Sequence, residues 1–238
     1  MGISSSWRSL GQAVERRESL VLASTLAIVV GLWAFVLIAG LVSYGSTQAI
    51  DEAMLRWFRQ VDDPQALIGG PWLEHATRDL TALGSATVLN LLILVVAGYL
   101  ALERRWSMVA MVLIASYGGM TLSSTLKALF MRARPHAVPH LVDVSSPSFP
   151  SGHSMQSAVV YLTLGALFAT FVRERSRRIY FLAVAMLLTF LVGLSRVIAG
   201  VHYPTDVLGG WAAGLAWALV CVLVERQLER KRVLRSKL

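Results

Sequence analysis

The chain has a single cysteine, Cys221, among its 238 residues, so no disulfide can form within it. Charge is scarce as well: Asp, Glu, Lys and Arg make up 15% of the sequence, where an average soluble domain carries about 25%. No internal repeat and no low-complexity linker is present, and no stretch alternates polar with apolar residues as a membrane β-barrel requires. His, Cys, Asp and Glu nowhere fall at metal-ligand spacing, so no metal and no other cofactor is expected. Cys221 itself lies inside an apolar run, where a reactive thiol is not expected.

What is abundant is apolar sequence, at 55% of residues, and it comes in blocks. Six runs stand out, at 20–42, 80–102, 106–126, 154–172, 179–195 and 207–224. Each is close to the ~20 residues that a helix needs to cross a bilayer. The first has a basic flank like a signal peptide, but its core is longer than the ~7–15 residues of a signal h-region. The "SYGS" that follows is a poor cleavage site, so the run reads as an uncleaved span. The expectation is an all-α integral membrane protein, one domain over 1–238, with six transmembrane helices. It includes a short N-terminal segment at 1–19, an outer loop at 45–79 and a basic tail at 225–238.

A net charge of +8 raises nucleic acid as a partner, and the distribution argues against it. Fifteen of the 22 Lys and Arg residues sit in the N-terminal segment, in "ERR" at 103–105, in "RERSRR" at 173–178 and in the tail. These segments alternate with the spans, and the positive-inside rule puts both termini in the cytoplasm. The outer segments are then 45–79, 131–151 and 199–205. Within the first, "DEAMLRWFRQ" at 51–60 reads either as an amphipathic helix on the membrane surface or as a packed loop helix. Tyr203 and the tryptophans fit interfacial belts.

Seven basic residues remain for the outer side: Arg56, Arg59, Arg78, Lys127, Arg132, Arg134 and Arg196. The last four hug span ends, at the depth of His153, His202 and Asp206. A lone arginine there snorkels, but several cations beside two histidines and an aspartate suggest a polar site. In "KALFMRARP", Pro135 disfavours helix at Arg134, which leaves Lys127 on the last turns of a span and Arg134 on its exit. In "PSGH", Ser151 is a candidate helix N-cap, and Gly152 lets a ligand approach the backbone. The first-turn amides of that helix suit an anion. In "SRVIAGVHYPTD", Arg196 ends a span, His202 lies in a turn, and Asp206 follows four residues on, able to orient the imidazole. Such a cage fits a tetrahedral oxyanion, with one neutral histidine to attack phosphorus and a protonated one to give its proton to the leaving oxygen. Gly210 and Gly214 have the spacing of a close helix contact inside the monomer.

These three segments resemble the signatures of type-2 phosphatidic acid phosphatases, integral-membrane lipid phosphatases that share a site with vanadium haloperoxidases. Lys, six residues, Arg-Pro; Pro-Ser-Gly-His; and Ser-Arg, five residues, His, three residues, Asp are all filled in order, over 127–206. The resemblance implies that Lys127, Arg134 and Arg196 bind phosphate oxygens, helped by Ser151, Gly152 and Ser195. It implies that His202 is the nucleophile forming a phosphohistidine, that Asp206 orients it, and that His153 protonates the leaving group, with no metal. The substrate would be a lipid phosphate or pyrophosphate, such as phosphatidylglycerophosphate, undecaprenyl pyrophosphate or phosphatidic acid, at the outer face of a bacterial-type inner membrane. Lipid A and sphingoid phosphates are lesser options. A phosphotransferase using the same chemistry stays open. A transporter or scaffold with a degenerate site is disfavoured because no motif residue is lost. The sequence carries no sign of oligomeric state.

Overall fold

The structure, a computed structural model, describes the backbone of residues 3–235 and the side chains of 18–228 apart from residue 20. The basic side chains expected at Arg8, Arg16 and Arg17, and those of the tail beyond 228, lie outside the described residues. Among the described residues eight helices follow in order: α1 (Ile3–Ser43), α2 (Gln48–Trp57), α3 (Gly70–Ala82), α4 (Ala86–Leu102), α5 (Trp106–Phe130), α6 (Gly152–Phe171), α7 (Arg175–Ile198) and α8 (Pro204–Arg235). Among the described residues there is no β-strand, only an isolated bridge between Arg59 and Leu67. The protein is a multi-pass membrane protein.

Among the described residues, five helices contain spans long and apolar enough to cross a membrane, and α3 with α4, bent by 44°, makes a sixth candidate. The sequence expectation of one continuous helix over 80–102 is therefore corrected. The chain breaks at 83–85, where Ser85 caps α4 by accepting from the Val88 amide at 3.3 Å. Gly84 sits in the break because nothing larger fits: a Cβ there would lie 2.4 Å from Val192 Cγ1 and 3.2 Å from His153 Cδ2.

Burial sorts the helices. In α6, 61% of the span is buried, whereas in α1 only 17% is, with Leu22, Leu26, Trp33 and Val36 turned outward to lipid. α6 lies among α5, α7 and α8, and α1 packs on the far side of α8. Close approach of α6 and α8 depends on the two glycines singled out by their spacing. A Cβ on Gly210 would meet the Ser151 carbonyl at 2.8 Å, and one on Gly214 would meet the Met155 carbonyl at 2.7 Å. The contact lies within the monomer, as the sequence suggested.

Helix α2 packs one face against the bundle and leaves an apolar face exposed. Asp51 and Leu55 are buried, Leu55 in a cluster with Val138, Val197, Tyr203 and Val207, while Ile50, Met54 and Trp57 face outward. Tyr203 is not an interfacial belt residue. It is buried, and its hydroxyl accepts a hydrogen bond from Gln48 Nε2 at 2.9 Å. Arg59, buried just beyond α2, donates to the Ile198 and Pro139 carbonyls at 3.0 Å each. It thereby caps the C-terminal end of α7, where a cation is favoured, and fixes the turn that leads to His202.

The two glycines give a direct test of this packing. Gly214→Ala should push α6 and α8 apart and destabilise the fold by about 1–3 kcal/mol. Gly98→Ala, where a Cβ meets nothing within 4 Å, should not. Melting temperatures in detergent check the pair; equal values would mean that α6 and α8 do not need this approach.

Candidate active site

All the polar ends meet at one end of the bundle: the C-terminal ends of α5 and α7, the N-terminal ends of α6 and α8, and the α3–α4 turn. Lys127 lies in the last turn of α5, which closes at Met131 in the left-handed region (φ 44°). Its ammonium donates to the Pro147 carbonyl at 2.5 Å. Arg134 lies beyond the helix in coil, as Pro135 predicts. Its Nε donates to the Ser146 carbonyl at 2.8 Å and its Nη1 to the Val201 carbonyl at 2.7 Å. Together these bonds fasten the 131–151 segment over the site.

Ser151 caps α6 through its hydroxyl oxygen, which accepts from the Ser154 amide at 3.4 Å and the Ser154 hydroxyl at 2.9 Å. Its own amide donates to the Asp206 carbonyl at 2.9 Å, joining α6 to α8. The amides of Gly152 and His153 belong to the first turn, which has no intrahelical acceptor. Gly152 faces Lys127, whose Cε would lie 3.4 Å from an added Cβ. His153 is close enough to Arg196, His202, Lys127 and Arg134 to feel their charge. The structure thus brings both histidines and all three cations to one place.

Arg196 is 3% exposed, and its Nε has no partner. Its Nη1 donates to Thr81 Oγ1 at 3.3 Å. Thr81, on α3, was not apparent from the sequence. It pairs with Ser195 at 2.8 Å, and Ser195 donates to the Val192 carbonyl at 2.7 Å. Ser195 has already spent its proton, so the hydroxyl between them is donated by Thr81. Ser195 thus supports Thr81, which in turn holds Arg196.

His202 is 1% exposed. Its Nδ1 faces Ser148 Oγ at 3.3 Å and Asp206 Oδ2 at 3.5 Å, and its Nε2 lies 3.2 Å from Arg134 Nη1. A guanidinium can only donate, so Nε2 accepts and the proton belongs on Nδ1. Electrostatics agree. Burial pushes the imidazole pKa down to about 3; Asp206 opposes this, and Arg134 and Arg196 reinforce it. The result is a neutral histidine with its lone pair turned toward the cations. Asp206 holds its Oδ2 in place by accepting from the Ser148 hydroxyl at 2.5 Å and the Tyr203 amide at 2.9 Å. Ser148, like Thr81, belongs to no recognisable spacing pattern.

Arg132 was grouped with the other outer cations, yet it is bound elsewhere, to Asp206 at 2.7 Å and Asp51 at 2.9 Å. His136 and His140 lie beside the site on a cavity of about 500 Å³ that is also lined by Gln65. Among the described residues no group of three or more His, Cys, Asp and Glu is arranged to hold a metal ion.

Comparison with known proteins gives a consistent result. A model described as the PAP2 superfamily matches residues 104–230. The chain is 32% identical over 202 residues to phosphatidylglycerophosphatase B of Bacillus subtilis (strain 168), covering 83% of this chain and 94% of that protein. It is also 32% identical over 181 residues to decaprenylphosphoryl-5-phosphoribose phosphatase of Mycobacterium tuberculosis, covering 70% and 90% respectively. The crystal structure of a transmembrane PAP2-type phosphatidylglycerolphosphate phosphatase from Bacillus subtilis superposes with a TM-score of 0.74 at 30% identity, over 84% of this chain and 96% of that one.

The neutral state of His202 has a measurable consequence. Its folded pKa lies near 3, below the ~6.5 of an unfolded histidine. Between those values the unfolded chain binds a proton that the folded chain does not, so stability falls as pH falls from about 6.5 toward 3. One such group contributes up to about 1.4 kcal/mol per pH unit. Unfolding curves from pH 7 to 4 should therefore be steeper for the native chain than for His202→Gln. Parallel curves would mean that His202 is charged in the fold.

Proposed function

Given that the chain belongs to the PAP2 superfamily and is a membrane lipid phosphatase, we propose that it works by two displacements at phosphorus through His202. The observation that carries this is the pose of His202, with Nδ1 toward Asp206 and Ser148 and the Nε2 lone pair turned to Arg134 Nη1 at 3.2 Å. A phosphate entering the cage would take the N–H groups of Arg134, the Arg196 Nε and the Lys127 ammonium. The α6 first-turn amides of Gly152 and His153, held by the Ser151 cap, would serve another oxygen. Donors from four separate elements suit the several oxygens of a tetrahedral anion.

In the first step, Nε2 of His202 bonds to phosphorus and the bond from phosphorus to the lipid oxygen breaks. Protonated His153 gives its proton to that oxygen, which leaves as the lipid alcohol. Asp206 stabilises the positive charge that develops on the His202 ring. In the second step, water attacks phosphorus, neutral His153 takes its proton, and inorganic phosphate leaves with His202 restored. The three cations offset the charge gathering on the equatorial oxygens. For a pyrophosphate, the leaving oxygen belongs to the lipid monophosphate instead.

The site faces away from the basic segments at 103–105 and 173–178, which supports an outer, extracytoplasmic active centre and cytoplasmic termini. Phosphatidylglycerophosphate is the first substrate to consider, because a relative covering 83% of this chain and a solved structure covering 84% carry that activity in their names. Undecaprenyl pyrophosphate and phosphatidic acid are the alternatives. The cavity between Gln65 and His136–His140 offers space for the headgroup.

Phosphate release in detergent with EDTA present, on those three lipids in parallel, tests the reaction and ranks its substrates. His202→Ala and His153→Ala should each lose about 10²–10⁴-fold in turnover or more. Lys127→Ala should raise KM and lower kcat/KM. Full activity of His202→Ala would remove the phosphohistidine course, and unchanged kinetics of Lys127→Ala would reduce that lysine to a snorkelling residue.

A further inference from the structure

We propose that Arg132 and Asp51 are positioning residues for the His202–Asp206 pair, so that the outer helix α2 is a working part of the active centre. The proposal rests on the catalytic reading of Asp206 given above.

Asp206 Oδ2 holds the Ser148 hydroxyl, the Tyr203 amide and the His202 imidazole. Its other oxygen, Oδ1, accepts from Arg132 Nη1 at 2.7 Å. A carboxylate torsion is soft, with broad minima. Two oxygens held by separate elements fix it, and Arg132 supplies the second hold. The guanidinium is itself immobilised on three sides. Nη1 also donates to Thr205 Oγ1 at 2.8 Å, Nη2 donates to Asp51 Oδ2 at 2.9 Å, and the group lies 4.2 Å over the Tyr203 ring. Asp51 is fully buried, and its remaining hydrogen bonds come from the Thr205 amide at 3.1 Å and hydroxyl at 2.6 Å. Every group Asp51 binds is therefore either Arg132 or the residue next to Asp206.

One arginine thus separates two buried carboxylates. Without it, Asp51 and Asp206 face each other across Thr205 as uncompensated like charges, and only the bonds to Oδ2 are left to hold Asp206 against Nδ1. Lysine replaces it only in part, since a compact ammonium does not reproduce the planar fork that reaches Asp206, Thr205 and Asp51 while lying over the Tyr203 ring. An ion pair that only fastened α2 to α8 would affect folding; this one sets the orientation of the nucleophile.

The experiment is a double-mutant cycle on phosphate release with EDTA, with KM, kcat and melting temperature for each variant. Arg132→Gln should lower kcat about 10–100-fold with little change in KM, and Arg132→Lys should recover only part of it. Asp51→Asn should lower kcat by a smaller factor and raise no further loss when combined with Arg132→Gln. In an Asp206→Asn background, Arg132→Gln should cost less than about 2-fold, because the carboxylate it acts through is gone. Equal fold-losses in both backgrounds, or an undiminished kcat in Arg132→Gln, would overturn the proposal. Should Arg132→Gln fail to fold, Asp51→Asn with and without Asp206→Asn decides the matter in the same way. An Asp206→Asn variant with native kcat would instead defeat the catalytic reading of Asp206 itself, which separates the two failures.

Discussion

The Asp206 carboxylate, buried at the first turn of α8, is where three separate parts of the protein are tied: the Ser148 loop, the turn that carries His202 and Tyr203, and the exit from α5 through Arg132. A buried carboxylate is costly unless its lone pairs are met by donors or cations. That cost acts as a constraint on architecture. It requires the loop over 131–151 to return to α8 and α2 to supply a counter-charge for Arg132. It also keeps the His202 ring turned with Nε2 toward Arg134. Loss of any one of these contacts leaves a charged or polar group stranded in a region with little access to water.

The same economy explains why the cations sit where they do. Lys127, Arg134 and Arg196 arrive from three elements, and their hydrogen bonds to the protein are mostly to backbone carbonyls or a threonine hydroxyl rather than to carboxylates. The Arg196 Nε remains unpaired although the residue is almost wholly buried. A cation neutralised by a protein carboxylate would have little attraction left for a phosphate. The acidic groups nearby are instead used up on Arg132 and His202. Arg132 is bound to the carboxylates and the other three cations are not, which lets one small volume hold both signs of charge.

Much of this was legible in the sequence because it is local. Five of six spans follow from uninterrupted apolar runs, and the break before Pro135, the Ser151 cap and the start of α8 at Pro204 follow from the chemistry of single residues. The convergence of Lys127, Arg134, His153, Arg196, His202 and Asp206 followed from three short segments at span ends. What was not legible depends on partners far apart in the chain. Arg132 looked like another outer cation because nothing near it announces Asp51, 81 residues earlier. Tyr203 looked interfacial until the structure placed Arg132 over it. Thr81 and Ser148 are ordinary hydroxyls whose use depends on where α3 and the outer loop fold back. The bend between α3 and α4 escaped notice because Gly84 and Ser85 are too weak a signal to interrupt an apolar run on their own.

The central claim is that phosphorus passes through His202, and the stereochemical course of hydrolysis tests it most directly. A lipid substrate carrying an isotopically chiral thiophosphate would be hydrolysed in labelled water and the configuration of the released thiophosphate determined. Two in-line displacements, one by Nε2 and one by water, predict overall retention. Inversion would show that water attacks the lipid phosphate directly, and would contradict a covalent role for His202.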